Sequence, residues 1–254
     1  MRRRRQRIIV GGVLILCVCL STLGVGFLSY NDRVQIASVT VSGTSGLSAR
    51  TIHAAFDAAL YNGSSGLFSR QNMFLFPESA IKAALLQQFP RIANVSVSRA
   101  SLLSQAVVVT VSERKPAYLW CADSDCYVMD SSGYIFGTSN SASTTMYVFR
   151  GGLSSASLPI GQWFLRGRIN ALIELFKTIE RAGVHPTGAI VENEKDMTVT
   201  STEGFTLKIA FDSDPAVISK DLLLILSSES LRGKQNELHY IDLRFGDRVY
   251  YQVK

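Results

Sequence analysis

IIVGGVLILCVCLSTLGVGFL, residues 8–28, is the stretch around which this chain of 254 residues is organised. It contains no charged residue, and its polar side chains are those of Ser21 and Thr22. A helix rises about 1.5 Å per residue, so this stretch would be about 30 Å long, which matches the hydrocarbon core of a bilayer. The sequence therefore predicts a transmembrane helix over residues 8–28.

Positive charge lies on one side of this stretch. The preceding tail, residues 1–7, contains Arg2, Arg3, Arg4, Arg5 and Arg7, whereas the other side begins with the Asp32–Arg33 pair. Basic residues resist translocation, which predicts a cytoplasmic N-terminus. Residues from about Ser29 onward would then lie outside a cytoplasmic (inner) membrane that the chain crosses once.

A cleaved signal peptide is the alternative, because it also begins with basic residues and continues with apolar ones. Signal peptides have a shorter apolar core, roughly 7–15 residues, followed by a small-x-small cleavage site. Here the apolar stretch is longer and ends in Gly26-Phe27-Leu28-Ser29-Tyr30, a poor cleavage site. The pattern favours an uncleaved anchor.

The charge of the rest of the chain is nearly balanced. Residues 1–33 contain six Arg and one Asp, and the remainder contains 20 Lys and Arg against 19 Asp and Glu. The exported part therefore has no bulk electrostatic attraction for nucleic acid. The basic tail is explained as a topology signal that also contacts anionic lipid headgroups.

The sequence offers little support for catalysis. An enzyme needs a nucleophile with a base, or a set of metal ligands. The three histidines, His53, His185 and His239, are far apart in the sequence, and there is no Cys-x-x-Cys pair. We therefore expect no catalytic residue, no metal or cofactor site and no small-molecule substrate, although an anchored enzyme remains the alternative.

Two cysteines lie in the exported part. Cys121 and Cys126 flank Ala122-Asp123-Ser124-Asp125. If these four residues close a hairpin, the two Cα atoms fall within the 4.4–6.8 Å that a disulfide tolerates, and the outside of the membrane is commonly oxidising. A free pair of thiols remains the alternative.

Residues 34–114 have the pattern of a compact α+β unit in the order β-α-α-β-β. A strand at Val34–Val41 precedes a helix at Ala49–Leu60, for which Ser48 is the expected N-cap. A second helix begins at Pro77 and ends before Pro90, and two strands follow around Val95–Val97 and Val107–Val111.

The end of this unit carries the charged segment Glu113-Arg114-Lys115-Pro116. Proline cannot donate to a central strand ladder, so the segment marks a domain boundary. Its charges indicate a solvated hinge, with a partner-binding cluster as the alternative.

Residues 115–254 are richer in strands. The clearest helices are expected at residues 166–182, ended by Gly183, and at Ala216–Leu231. A loop rich in Ser, Thr and Asn covers Thr138–Thr145. Strands are predicted at Tyr118–Cys121, Cys126–Met129, Tyr134–Phe136, Met146–Phe149, Ala189–Val191, Met197–Thr200, Phe205–Phe211, His239–Phe245 and Asp247–Val253. Asp242 and Arg244 share one face of a strand, which indicates an exposed ion pair worth about 0–1 kcal/mol, or else a partner contact.

Three motifs, in the order Glu113-Arg114-Lys115-Pro116, MDSSGYIF at residues 129–136 and YIDLRF at residues 240–245, resemble those of the bacterial cell-division membrane proteins FtsQ and DivIB. Glu113-Arg114-Lys115-Pro116 is similar to the family's Glu-Arg-x-Pro, and residues 129–136, MDSSGYIF, are similar to its hydrophobic-Asp-x-x-Gly-x-hydrophobic-Phe. Residues 240–245, YIDLRF, are similar to its Tyr-(Ile/Val)-Asp-Leu-Arg-(Phe/Tyr). The family's Pro-x-x-Leu before the third strand of the first domain has no counterpart in residues 99–105.

The resemblance implies a POTRA domain at residues 34–114 and an FtsQ/DivIB β domain at residues 115–254. It also implies a protein that is not an enzyme. Such proteins scaffold the divisome at the division septum by binding the coiled-coil proteins FtsB and FtsL (DivIC in some lineages) outside the membrane. A POTRA-containing envelope transport or assembly factor is the alternative function.

The final strand is the predicted site of partner binding. If it pairs on one side with Tyr240–Phe245, its other side is free unless an earlier strand covers it, and a free edge can accept a strand from a partner. The resemblance implies the same location. The predicted partner-binding residues are Arg248, Val249, Tyr250, Tyr251, Gln252 and Val253. The alternative is an edge that Arg248 and Lys254 protect and that binds nothing.

Overall fold

The computed structural model describes residues 2–62, 66–139, 146–153, 158–229, 231, 234–246 and 248–254, with backbone alone for residues 2–8. The architecture is mixed α+β, with one apolar N-terminal helix and a large β-sheet in the described part of the chain. The chain divides into two compact units, Met1–Glu113 and Arg114–Lys254.

The first helix, α1, extends over Arg2–Ser29. Its segment Ile9–Ser29 is apolar and long enough to cross a membrane. The large apolar side chains described along this segment are exposed, whereas Gly26 and Ser29 in the last turn are buried. The C-terminal end of the helix is therefore the part that packs against protein.

Within the first unit, two helices cover a small sheet. The elements are β1 (Ser38–Ser42), α2 (Ala49–Tyr61), α3 (Glu78–Gln88), β2 (Ile92–Arg99) and β3 (Ala106–Glu113). In the described residues the three strands are ordered β1-β3-β2, with β1 parallel and β2 antiparallel to β3.

The core of this unit follows from sequence periodicity. Alternate valines of β2 and β3 point toward the helices, and α2 and α3 bury residues at helical spacing. The fully buried members include Ile52, Phe56, Ile81, Leu85, Val95, Val107 and Val109.

Two details of the first unit differ from the sequence prediction. The strand expected from Val34 begins at Ser38, because Asp32–Val34 form a 3₁₀ turn in which the Asn31 side chain accepts the Arg33 N–H. Ser48 occupies the N-cap position of α2, but its side chain makes no capping hydrogen bond.

The second unit contains one sheet flanked by helices. Its elements are β4 (Tyr118–Ala122), β5 (Asp125–Met129), β6 (Ile135–Ser139), β7 (Val148–Gly151), α4 (Ile169–Arg181), β8 (Pro186–Val191), β9 (Asp196–Ser201), β10 (Thr206–Ala210), α5 (Pro215–Ser227), β11 (Leu238–Phe245) and β12 (Arg248–Val253). The described strands are ordered β12-β11-β10-β9-β8-β7-β4-β5-β6, so β12 and β6 form the two edges.

Two crossover connections position the helices of this unit. Helix α4 joins the parallel neighbours β7 and β8, and α5 joins the parallel neighbours β10 and β11. The helices contact each other and bury their apolar residues in one core with the sheet. The largest fully buried side chains there are Trp120, Phe149, Phe164, Phe176 and Phe205.

Helix boundaries in the second unit differ from the prediction. The helix expected from residue 166 begins at Ile169, because Leu165 and Gly167 have φ angles of 45° and 75°, which no right-handed helix accommodates. Gly183, with φ of 88°, follows its end. The helix expected to reach Leu231 ends at Ser227.

The predicted loop at Thr138–Thr145 starts later than expected. Thr138 and Ser139 belong to β6, and positions 140–145 lie outside the described residues.

Cys121 and Cys126 face each other on β4 and β5 and are joined by a disulfide. Their Cα atoms are 4.1 Å apart, slightly closer than the range expected from the sequence. The bond closes the hairpin of residues 122–125.

Candidate partner-binding edge

Strand β12 lies at one edge of the second unit's sheet. Among the described strands it pairs with β11 alone, antiparallel, with Tyr250 opposite Asp242 and Tyr251 opposite Ile241. Two register shifts along the pair each add a residue to β11, so β12 itself keeps a regular alternation. Asp247, which was included in the predicted strand, lies outside the described residues.

One hydrogen bond fixes which backbone groups of β12 point outward. The Lys254 N–H donates to the Glu237 carbonyl at 2.7 Å, on the β11 side. Backbone groups of an antiparallel strand alternate between its two sides. Alternation therefore directs the N–H and C=O groups of Tyr250 and Gln252 toward β11, and those of Val249, Tyr251 and Val253 away from the sheet.

The side chains of β12 are mostly exposed and uncharged. Tyr250, Tyr251 and Val253 are 49%, 39% and 42% exposed, whereas Val249 is partly buried against the core. The rings of Tyr250 and Phe245 pack in a T-shaped arrangement with their centroids 5.3 Å apart. Charge is confined to Arg248 and Lys254 at the strand's ends. Between them the edge presents hydrogen-bonding backbone and apolar surface.

The Asp242–Arg244 pair next to this edge is not the exposed ion pair that the sequence indicated. Asp242 is 5% exposed. Its two carboxylate oxygens accept hydrogen bonds from Arg244 Nη2 at 2.6 Å and Nε at 2.9 Å. Arg244 Nη1 also reaches Asp196 Oδ2 on β9 at 3.3 Å. The pair therefore joins β11 to the start of β9, with Asp242 buried and the Arg244 side chain 25% exposed.

Hydrogen bonds and neighbouring positive charges stabilise the ionised form of Asp242. Burial alone would raise the pKa of Asp242, but hydrogen bonds from the side chain and backbone of Arg244, with its positive charge and that of Lys208, outweigh burial and lower it. The hydrogen bond to Asp242 raises the pKa of Arg244 above its already high value. Bidentate arginine–carboxylate geometry of this kind fixes orientation as well as charge.

A cavity of about 540 Å³ lies beside the cluster. A smaller one of about 350 Å³ shares three of its lining residues, Arg168, Glu194 and Phe211. The Arg168 guanidinium lies 4.4 Å from the centre of the Phe211 ring. No group of three or more His, Cys, Asp or Glu in the described part of the chain could hold a metal ion.

In the charged segment at the unit boundary, Glu113 and Arg114 are each held by contacts within their own unit, whereas Lys115 and Pro116 are exposed. The Glu113 side chain is 5% exposed and accepts the N–H groups of Ser45, Gly46 and Leu47. Arg91 Nε donates to it at 3.0 Å. Glu113 thus holds the loop before α2 within the first unit.

The adjacent Arg114 belongs to the second unit, where it pairs with Asp130 and stacks over the Tyr134 ring at 4.0 Å. Asp130 in turn accepts the N–H groups of Ser132 and Tyr134, which shapes the turn after β5. Burial alone would raise the pKa of Asp130, but hydrogen bonds from the Ser132 hydroxyl, from Arg114 and from the two backbone N–H groups together lower it. Each of the three sequence motifs therefore supplies side chains that hold its part of the fold together.

Some residues of these clusters gave no local signal in the sequence. Arg91 lies 22 residues from Glu113, and Asp196 lies 48 residues from Arg244. Neither belongs to a recognisable motif. Phe245, by contrast, lies within YIDLRF, but its contact with Tyr250 depends on the turn between β11 and β12.

No protein-family model matches this chain, and no curated protein matches it.

Proposed function

We propose that this chain is a membrane-anchored, non-enzymatic scaffold of the bacterial divisome, of the FtsQ/DivIB type. It binds coiled-coil division proteins of the FtsB/FtsL (DivIC) type outside the membrane, at the division septum. Partner binding occurs by addition of a strand to β12. The observation that carries the proposal is the edge position of β12, with uncharged and largely exposed side chains from Val249 to Val253.

The order of elements supports the proposal. The first unit runs β-α-α-β-β directly after an apolar helix, as expected of a POTRA domain, and the second unit is a strand-rich domain with flanking helices. The Glu-Arg of the boundary motif lies where the two units divide. YIDLRF forms β11, the strand that pairs with the proposed binding strand.

Strand addition suits this edge because the outward backbone groups of β12 are uncovered in the described part of the chain. Proteins usually blunt exposed edges with lysine, proline, bulges or a covering element. On β12 the outward backbone groups of Val249, Tyr251 and Val253 are left to accept a partner strand. Backbone hydrogen bonds would supply affinity, and Tyr250 and Tyr251 would supply specificity through their exposed rings.

The proposal is tested by a proline at the outward position. Tyr251→Pro removes a backbone N–H that points away from β11, so the pairing of β12 within the sheet is preserved while the partner loses one hydrogen bond. We expect capture of the coiled-coil partner from membranes to fall at least several-fold. Tyr251→Thr, which removes the ring but keeps the N–H and the β propensity, should retain more capture than the proline variant.

Crosslinking from the edge identifies the partner directly. A photo-crosslinking side chain at Tyr250 should trap it in intact cells, whereas the same group at the exposed Thr138 of β6, on the opposite edge, should not. Equal capture by wild type and a folded Tyr251→Pro protein would show that strand addition at β12 is wrong.

A further inference from the structure

The end of α1 is held by a loop of the first unit. Ser29 Oγ accepts the Ser69 N–H at 2.9 Å, and the Ser29 carbonyl accepts Asn72 Nδ2 at 3.2 Å. Ser29 and Asn72 are 2% and 4% exposed. The connection between helix and domain is therefore a packed, hydrogen-bonded joint.

The contact extends into the spanning segment itself. A Cβ atom at Gly26 would lie 2.7 Å from the Leu67 carbonyl oxygen, so the absence of a side chain allows the loop to touch the helix. Gly26 lies about one turn, or about 4.5 Å, before Ser29. Since Ile9–Ser29 is about as long as a hydrocarbon core is thick, Leu67 lies level with the last turn inside the span.

Exposed apolar side chains surround this joint. We call six of them the apolar rim; they lie in the segment before α3 and in the turn between β2 and β3. The members are Leu67, Phe68, Phe74, Leu75, Leu102 and Leu103, with exposures from 39% to 83%. So many exposed large apolar side chains in one region are unusual for a surface that meets only water.

Hydrogen bonds bring the two parts of the apolar rim together at the α1 end of the unit. Arg99 lies 4.9 Å from the centre of the Phe74 ring and donates to the Leu102 carbonyl at 2.8 Å. Gln105 Nε2 donates to the carbonyls of Asp32 and Gln35, just beyond α1. Both loops therefore lie where the chain leaves the helix.

We propose that the apolar rim inserts into the outer interface of the same membrane that α1 crosses. The occupant is lipid, because the rim is continuous with the spanning helix and Leu67 touches it at membrane depth. Arg99 behind the rim suits lipid phosphates, and the exposed Tyr30, whose hydroxyl donates to the Gly66 carbonyl, suits the headgroup layer. The inference rests on α1 being the anchor of the proposed function and needs no protein partner.

Collision measurements on the full chain in liposomes test this placement. A background with Cys17→Ala and Cys19→Ala leaves the disulfide as the remaining cysteine pair, so one nitroxide can be attached at Phe68→Cys or Leu103→Cys. Liposomes of phosphatidylethanolamine and phosphatidylglycerol supply the lipid. At both positions we expect collisions with oxygen to exceed those with a water-soluble nickel chelate.

A matched control lies at the far end of the same unit. Gln88 is exposed at the end of α3. This end of the unit is separated from the apolar rim by the length of β3, whose eight residues span about 25 Å. A label at Gln88→Cys should collide mainly with the nickel chelate, giving an oxygen-to-nickel ratio several-fold lower than at Phe68 or Leu103. A label at Leu16→Cys verifies that α1 is inserted. Nickel-dominated collisions at both rim positions, with an inserted Leu16 label, would overturn the proposal.

The Gly26 contact offers a second, independent test. Gly26→Leu forces the loop away from the helix, whereas Gly24→Leu meets nothing within 4 Å. We expect the first variant to lower the oxygen-to-nickel ratio at Phe68 and the second to leave it unchanged; equal ratios in the two would contradict the placement. Because these liposomes contain no division protein, failure here is distinct from failure of strand addition at β12.

Discussion

Glu113 shows how much one carboxylate can contribute to the stability of the first unit. Burial alone would raise its pKa, but the N–H groups of Leu47, Ser45 and Gly46 and the Arg91 side chain together lower it from 4.5 to about 2. The folded state therefore favours the ionised form. Because the folded pKa is depressed, the resulting stability is fully present above the unfolded value of 4.5 and is lost as the pH falls toward 2.

Glu113→Gln should accordingly destabilise the protein near neutral pH and matter much less in acid. We expect a loss on the order of 3 kcal/mol at pH 7, since each pKa unit corresponds to about 1.4 kcal/mol. The difference between wild type and variant should shrink between about pH 4.5 and 2, as measured by denaturant unfolding across that range. The exposed Glu78 in the first turn of α3 is the matched control, and Glu78→Gln should change stability by about 1 kcal/mol or less. A pH-independent loss at Glu113 would contradict this account.

At the scale of elements, a tight turn and a disulfide hold strands β4 and β5 together as a hairpin. Asp123, with φ of 50°, turns the chain, and the disulfide joins the paired Cys121 and Cys126. A crosslink stabilises mainly by restricting the unfolded chain, and the restriction is small when few residues separate the cysteines.

Replacing both cysteines by serine should therefore have a limited effect. We expect the free energy of unfolding to fall by about 2 kcal/mol, because the crosslinked loop is short. Some further loss follows from replacing the Cys121 side chain, which is buried at 2% exposure. Denaturant unfolding of wild type with and without reductant separates the bond from the side chains. Mass spectrometry of protein taken from its native envelope tests the bond itself, and two free thiols would exclude it there.

At the scale of the whole molecule, the basic tail and α1 predict a membrane topology. Because Arg2–Arg5 and Arg7 precede the span, we expect the N-terminus to stay in the cytoplasm and both units to lie outside. A reporter that is active only in the cytoplasm, fused after Lys254, should be silent, and an export-dependent reporter at the same position should be active. The opposite result would reverse the topology, and a mature chain that starts near Ser29 would indicate cleavage of the helix.

The sequence alone determined the features that depend on neighbouring residues. The length and apolarity of residues 8–28 predicted α1, and helical or alternating periodicity predicted α2, α3 and most strands within a few residues. Where the predicted start of a helix was wrong, the local backbone conformation was the cause. The positive φ angles at Leu165 and Gly167 place the start of α4 after residue 167. Such deviations shift the boundary of an element but leave its type unchanged.

Only the tertiary structure decided which distant residues meet. Strand order is one case: β7 approaches β8 so closely that a side chain at Gly188 would overlap the Val148 carbonyl. The pairing of Arg244 with Asp196 and the contact between Gly26 and Leu67 are others. Periodicity encodes which face of an element is apolar, but the energy of pairing depends on shape and charge brought together from elsewhere in the chain. For that reason the sequence could predict that β12 forms, and only the assembled sheet placed it at an edge.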